Sequence, residues 1–237
     1  MRTEFSKLAL EGNRMYIQDV IQQQNIKLVI FDLDGTLVDS VPEIALAVDD
    51  ALVELNLPKA GEDRVRLWVG NGLKKLWERA LSFADAYSPE YLEETYDGLL
   101  AHYENHVNQT TCLYDGVVEL LSTLKKQKIK TAICTNKMEK FVPGILESQG
   151  IDTYIDLIVG GDTLHDKKPS AVPLLHICSS LHVENNQTLM IGDSPADAGA
   201  ANEANIPVVL LEQGYNQGVD LRSLSALSVK KNIQALL

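Results

Sequence analysis

Asp32 and Asp34 stand two residues apart, after a short apolar run and directly before Gly35. On an extended backbone, residues i and i+2 leave on the same side, so the two carboxylates share a face. Each loses hydration there and each repels the other, so the pair needs compensation. A divalent cation supplies it, and oxygen-rich donor sets of this kind suit magnesium. The plain alternative is a polar turn that closes a strand, with Asp34-Gly35 as ordinary turn chemistry. Which reading holds depends on whether other parts of the chain bring partners to the same place.

The elements that would do so can be read from periodicity. Lys27-Leu28-Val29-Ile30 has the apolar, β-branched content of a strand buried on both faces. Ser40-Val41-Pro42-Glu43 reads as a capping box that opens a helix, with apolar positions Ile44, Ala47, Val48, Ala51, Leu52 and Leu55 at helical spacing. Further helical stretches are predicted over 62–68, 72–86 and 89–109, with no convincing strand between 42 and 110. From 113 the pattern alternates. Helices are predicted over 116–127, 138–149, 170–181 and 195–205, and strands over 129–135, 154–159, 188–192 and 206–211. A last helix is expected close to the C-terminus, and Pro143 leaves the start of the second of these helices open. Alternation of this kind gives right-handed crossovers and a parallel sheet covered on both faces. The fold class is therefore α/β, a Rossmann-like doubly wound parallel sheet with an inserted α-helical domain. The domains divide as a core of 27–41 and 111–237, a helical insert of 42–110, and an N-terminal extension of 1–26. The extension is open between a packed helix and a mobile arm, and Met15 is an alternative start.

In an open parallel sheet, ligands bind beyond the carboxyl ends of the strands. Those ends carry Asp32 and Asp34, then Thr135-Asn136, then Gly192-Asp193-Ser194-Pro195-Ala196-Asp197, with Lys167-Lys168-Pro169 where a helix begins. Each has a plain reading. Thr135-Asn136 could cap a helix, Lys168 could be a solvated surface lysine, and Ser194 with Asp197 suits a helix start. Asp193 is harder to dismiss, because it follows the apolar Leu189-Met190-Ile191-Gly192 at the edge of a core.

Composition narrows the partners. The chain has 237 residues, is 45% hydrophobic, and carries a net charge of -12. That acidity argues against nucleic acid or anionic lipid as the main partner. A mean hydropathy of -0.06 without a long apolar run argues against a membrane span. Three cysteines without pairing or metal-type spacing fit a reducing cytosol. The charged N-terminus, with Arg2, Glu4, Lys7, Glu11 and Arg14, does not read as a secretory signal.

Taken together, Asp32-Leu33-Asp34-Gly35-Thr36, Thr135-Asn136, Lys168-Pro169, and Gly192-Asp193 with Asp197 resemble the four motifs of the haloacid dehalogenase superfamily of phosphotransferases. The resemblance spans about residues 27 to 237, and the helical insert looks like that family's α-helical cap. Within the superfamily the chain is most similar to the phosphoglycolate phosphatases. That likeness rests on Val69-Gly70-Asn71-Gly72, Arg79-Ala80-Leu81, Gly160-Gly161-Asp162 and Gly214-Tyr215-Asn216. One position departs: Ala171 stands where the family often has a second proline.

The resemblance implies hydrolysis of a small phosphate monoester, with 2-phosphoglycolate foremost. Asp32 would be the nucleophile, forming an aspartyl-phosphate, and Asp34 the general acid and base. Mg²⁺ would be held by Asp32, Asp193 and the Asp34 carbonyl, with Asp197 behind them. Lys168 would bridge nucleophile and phosphoryl group, and Thr135 and Asn136 would bind phosphoryl oxygens. Asn71 and Gly72 would meet the organic end; Lys74, Lys75 and Arg79 are candidate cations for a carboxylated substrate, which a solvated helix face explains equally well. A dehalogenase, a sugar-phosphate phosphatase or mutase, and a phosphoacceptor signalling domain are the alternatives. Monomer and homodimer are both open.

Overall fold

A computed structural model describes residues 16–237. The readings that fall on residues 1–15, including Met15 and the N-terminal charges, lie outside the described residues. Of the N-terminal extension, Ile17–Gln23 forms a helix, α1, whose Ile17, Val20 and Ile21 join the main core.

The centre is the strand β1, Leu28–Phe31, all four residues of which are fully buried. Its alternation divides the molecule. Val29 and Phe31 point to one face with α1, α6 (Val117–Lys126) and α7 (Val142–Ser148). Leu28 and Ile30 point to the other with α8 (Val172–Ser180) and α9 (Pro195–Glu203). A strand packed on both faces has no polar face, which is why it reads as a continuous apolar run.

Six strands form one parallel sheet in the order β5-β4-β1-β6-β7-β8. Here β4 is Lys130–Cys134, β5 Leu157–Val159, β6 Thr188–Gly192, β7 Val208–Leu211 and β8 Ser228–Lys230. The chain winds outward from β1 through β4 and β5, then returns to β1's other side for β6, β7 and β8. This reversal makes the switch point where a ligand crevice forms. Register fixes what lies there. Phe31 stands opposite both Ile133 and Ile191, so Asp32, Thr135 and Asp193 emerge at one edge.

Between β1 and α6 the chain makes four helices: α2 (Val41–Glu54), α3 (Glu62–Trp68), α4 (Leu73–Phe83) and α5 (Pro89–His106). They share their own core, including Val48, Leu52, Val65, Trp77, Leu81 and Leu99. Trp77 is fully buried, and its Nε1–H donates to Thr95 Oγ1 at 2.9 Å, so no polar group is stranded. His102–Glu54 and His106–Asp50 contacts of 2.6 and 2.7 Å tie α5 to α2.

The helices leave and rejoin the sheet through a ribbon that sequence reasoning missed. β2 (Val38–Asp39) pairs antiparallel with β3 (Cys112–Leu113). Two residues are too few for a strand period to register. The expected C-terminal helix is replaced by β8 and the 3₁₀ turn Ile233–Leu236, capped by Asn232. The open edge of β7 offers that segment backbone partners, and Ser228–Lys230 pairs there instead. The expected 138–149 helix is divided too: a 3₁₀ turn, Glu139–Phe141, precedes α7, and Pro143 occupies the helix's first turn, where its missing N–H costs nothing. Among the described residues no helix is long and apolar enough to cross a membrane.

Candidate active site

Three carboxylates converge at the switch point. Asp32 follows β1, Asp193 follows β6, and Asp197 rises from the first turn of α9. One oxygen from each lies within 4.8 Å of the others, and all three residues are buried. Among the described residues, Lys168 is the cation that pairs with them. Its Nζ is 2.9 Å from Asp32 Oδ1 and 2.7 Å from Asp197 Oδ1. The bond from Lys168 to Pro169 is cis.

The charges do not balance. Burial, with repulsion from Asp197 and Asp34, pushes the Asp32 carboxyl up to about 7 against the pull of Lys168. Burial, then the charges of Asp32 and Asp197, raise Asp193 well above the usual carboxylate range. Burial disfavours the Lys168 charge, but Asp197 and Asp32 outweigh it and raise its pKa. One ammonium among three carboxylates leaves negative charge in excess, which a dication of oxygen preference would neutralise.

The three acids are not equivalent. Both Asp197 oxygens are occupied, Oδ1 by Lys168 and Oδ2 by the Ser194 hydroxyl and the N–H groups of Asp193 and Ser194. Ser194 and Asp197 also complete the capping box of α9, so Asp197 serves helix and cluster together. Asp193 accepts from Thr36 Oγ1 at 2.7 Å and from the Tyr215 N–H at 2.5 Å, one bond on each oxygen. Asp32 Oδ1 is enclosed and has the Lys168 ion contact but no aligned donor. Among the described residues, nothing donates to the Asp34 carbonyl. The open donors thus belong to Asp32, Asp193 and the Asp34 backbone, an all-oxygen set that fits Mg²⁺.

Two glycines allow this closeness. A Cβ on Gly35, at φ +90°, would lie 2.3 Å from Asp193 Oδ2, and one on Gly214 would lie 2.2 Å from it. Asp193 is thus gripped between two backbones that admit no side chain. Next to Gly214, the Tyr215 hydroxyl donates to Asp39 Oδ1 and accepts from the N–H groups of Ser40 and Val41. It clamps the ribbon strand β2 to the site.

Asp34 stands outside the group of three acids. Its carboxylate accepts from Lys137 Nζ at 2.8 and 3.1 Å and from Ser40 Oγ at 2.6 Å. This corrects the Ser40–Glu43 capping box. Ser40 makes no cap bond, and Glu43 is buried, its Oε2 accepting from Thr111 N at 3.3 Å. A hydroxyl bond to a carboxylate is the stronger choice. Lys137 was missed in the sequence. Burial opposes its charge, but Asp34 and Tyr103 prevail and raise its pKa. The signal was faint: it is the third residue beyond β4, one past Thr135-Asn136.

A cavity of about 50 Å³ opens above these groups. Asp32, Asp34, Thr135, Asn136 and Lys137 line its floor, and Ile44, Gly70, Gly72, Leu76 and Tyr103 of the helical block line its roof. Lys168 lies beneath Asp32, away from this space. Thr135 Oγ1 accepts from the Lys137 N–H at 3.2 Å. Asn136 Nδ2 donates to Gly70 O at 2.9 Å and Lys168 O at 3.0 Å, tying floor to roof.

The loop 69–72 is the seam between the two parts. Gln217 Nε2 donates to Val69 O and Lys167 Nζ to Asn71 O, each at 2.9 Å. Asn71 does not line the cavity; its Oδ1 accepts from Arg79 Nη2 at 2.8 Å, and Arg79 also donates to Trp68 O. Lys74 and Lys75 pair with Glu93 and Glu78 on the surface. The Gly160-Gly161-Asp162 turn packs on the strand-end loop of β4: a Cβ on Gly161 would lie 2.3 Å from Asn136 O, and Asp162 Oδ1 accepts from Glu139 N at 2.7 Å.

Residues 29–211 match the family model of haloacid dehalogenase-like hydrolases. A phosphoglycolate phosphatase of Colwellia psychrerythraea is 46% identical over 203 residues, which cover 84% of this chain and 89% of that protein. One of Nitrosococcus oceani is 41% identical over 207 residues, covering 86% and 91%. The crystal structure of a predicted phosphoglycolate phosphatase from Haemophilus somnus superposes with a TM-score of 0.84 at 34% identity, covering 88% of this chain and 95% of that one. With the model spanning most of the sheet and its strand-end acids, the chain belongs to the haloacid dehalogenase-like hydrolases.

Proposed function

We propose that this phosphatase hydrolyses 2-phosphoglycolate to glycolate and phosphate, with Mg²⁺ and through an aspartyl-phosphate on Asp32. The observation that carries the reading is the position of Asp32, at the cavity floor and within a buried cluster of three carboxylates that one lysine does not balance.

An Asp32 oxygen attacks phosphorus, and the bond from phosphorus to the ester oxygen breaks. Asp34, beside it on the same floor, gives its proton to the departing alkoxide. Water then attacks that phosphorus and yields a proton to Asp34, and the bond from phosphorus to the Asp32 oxygen breaks, releasing phosphate and restoring both acids. Asp32, Asp193 and the Asp34 carbonyl would hold Mg²⁺, which supplies charge neutralisation between the anionic phosphoryl group and the carboxylates. Lys168 holds Asp32 in place from below, and the Thr135 hydroxyl meets a phosphoryl oxygen. The helical block 42–110 serves as a cap over the core of 27–41 and 111–237, with Gly72 at its contact with the substrate.

The names of the relatives favour a small carboxylated ester over a sugar phosphate. The unpaired thiols of Cys112, Cys134 and Cys178 accord with a cytosolic enzyme. The test is a panel of phosphate monoesters with Mg²⁺, run on the native chain and on Asp32→Asn. The expectation is preference for 2-phosphoglycolate and loss of turnover in the variant. Full activity of Asp32→Asn would overturn the mechanism, and preference for a hexose phosphate would overturn the substrate.

A further inference from the structure

We infer that Lys137 and Tyr103 together form the receptor for the substrate's carboxylate, and so set the choice of ester. The inference rests on the phosphatase reading above and names the residues that give it specificity. A cavity with Asp32 and Asp34 on its floor repels anions, so a substrate carrying a carboxylate besides its phosphoryl group needs a cation within the walls. Among the described residues lining the cavity, Lys137 is the one cation. Lys168 serves Asp32 from below, Lys74 and Lys75 are paired on the surface, and Arg79 is committed to Trp68 and Asn71.

The site is built rather than accidental. The Lys137 side chain is 5% exposed. Tyr103 is 3% exposed, lines the same cavity, and its hydroxyl, beside Lys137, has no acceptor for its proton among the described residues. Leaving a buried phenol unpaired is costly, so a ligand that accepts its proton recovers that cost. Lys137 Nζ lies 5.3 Å from the Tyr103 ring centroid, so one anion can meet both groups. Asp34 now occupies Lys137 with a carboxylate at 2.8 Å, which shows that the ammonium accepts an anion of this shape. Asp34 is also the neighbour of the reacting Asp32. A ligand whose carboxylate sits on Lys137 and whose phosphoryl group sits on Asp32 must therefore be short. A two-carbon acid meets that condition, whereas a sugar would fill the space with hydroxyls that Ile44, Leu76 and Phe141 cannot bond.

The test compares 2-phosphoglycolate with 2-hydroxyethyl phosphate, which replaces the carboxylate by a neutral alcohol. The ratio of the two kcat/KM values is the readout, because any loss acting through Asp34 lowers both together. In Lys137→Met the preference for 2-phosphoglycolate should fall by about 10- to 100-fold, as expected for a lost charged hydrogen bond. Tyr103→Phe, which removes one oxygen and should fold normally, should lower it by about 3- to 10-fold. Competitive inhibition by glycolate should weaken in parallel in both variants. An unchanged ratio in both variants would overturn the inference, as would equal loss on both esters. A wild type that hydrolyses both esters equally would overturn it alone, whereas one inert to every phosphate monoester would overturn the underlying reading and this with it.

Discussion

Lys168 Nζ lies 2.7 Å from Asp197 Oδ1, with the two side chains 2% and 0% exposed. Buried pairs add little when they form, but removing one partner leaves the other charged in a medium that cannot solvate it. Here the lysine answers to two acids, since Asp32 Oδ1 is 2.9 Å away. Lys168→Met keeps the length and removes the charge. It should cost about 3–5 kcal/mol by urea unfolding in the absence of Mg²⁺. A loss below about 1 kcal/mol would mean that solvent reaches these acids and that the cluster is not desolvated.

Gly98 sits inside α5, exposed, and a Cβ built there meets nothing within 4 Å. Its freedom is a cost to the folded state with no packing gain to offset it. Gly98→Ala should stabilise the protein by about 0.5–1 kcal/mol and raise Tm by about 1–4 °C with turnover unchanged. A lower Tm would show that the glycine has a contact which the helix surface does not reveal.

The sheet was legible because its strands are buried on both faces and therefore read as apolar runs. Leu28, Val29, Ile30 and Phe31 all satisfy that rule. The site followed from the sheet, since parallel register carries Asp32, Thr135 and Asp193 to one edge whatever the loops do. Lys168 could be placed only by its motif, as its approach to Asp32 is a tertiary event. Where local rules failed, a distant group had made a better offer. Ser40 bonds to Asp34 rather than to its own helix, and the segment at Ser228–Lys230 pairs with β7 rather than coiling. Lys137 and Tyr103 were invisible for a related reason: one lies just past a strand end and the other midway along a helix, and only the fold brings them to one cavity.

Burial raises both Asp32 and Asp193, and this fixes how metal and pH act together. A carboxyl raised in the folded state contributes stability that is full below its unfolded pKa and is lost as pH rises through the folded one. For Asp32 that window runs from the ordinary value of 3.8 up to about 7. The metal-free protein should therefore lose stability across it, as the acids ionise against one another. Mg²⁺ competes with those protons for the same oxygens, so its affinity should rise over the same interval. Thermal unfolding with and without saturating Mg²⁺ tests this directly. The gain in Tm from Mg²⁺ should be small at about pH 5 and several degrees at about pH 8. In Asp193→Asn, which keeps the shape but removes one charge, most of that gain should vanish at the higher pH. A gain independent of pH, or one that persists in Asp193→Asn, would place the ion somewhere other than this cluster.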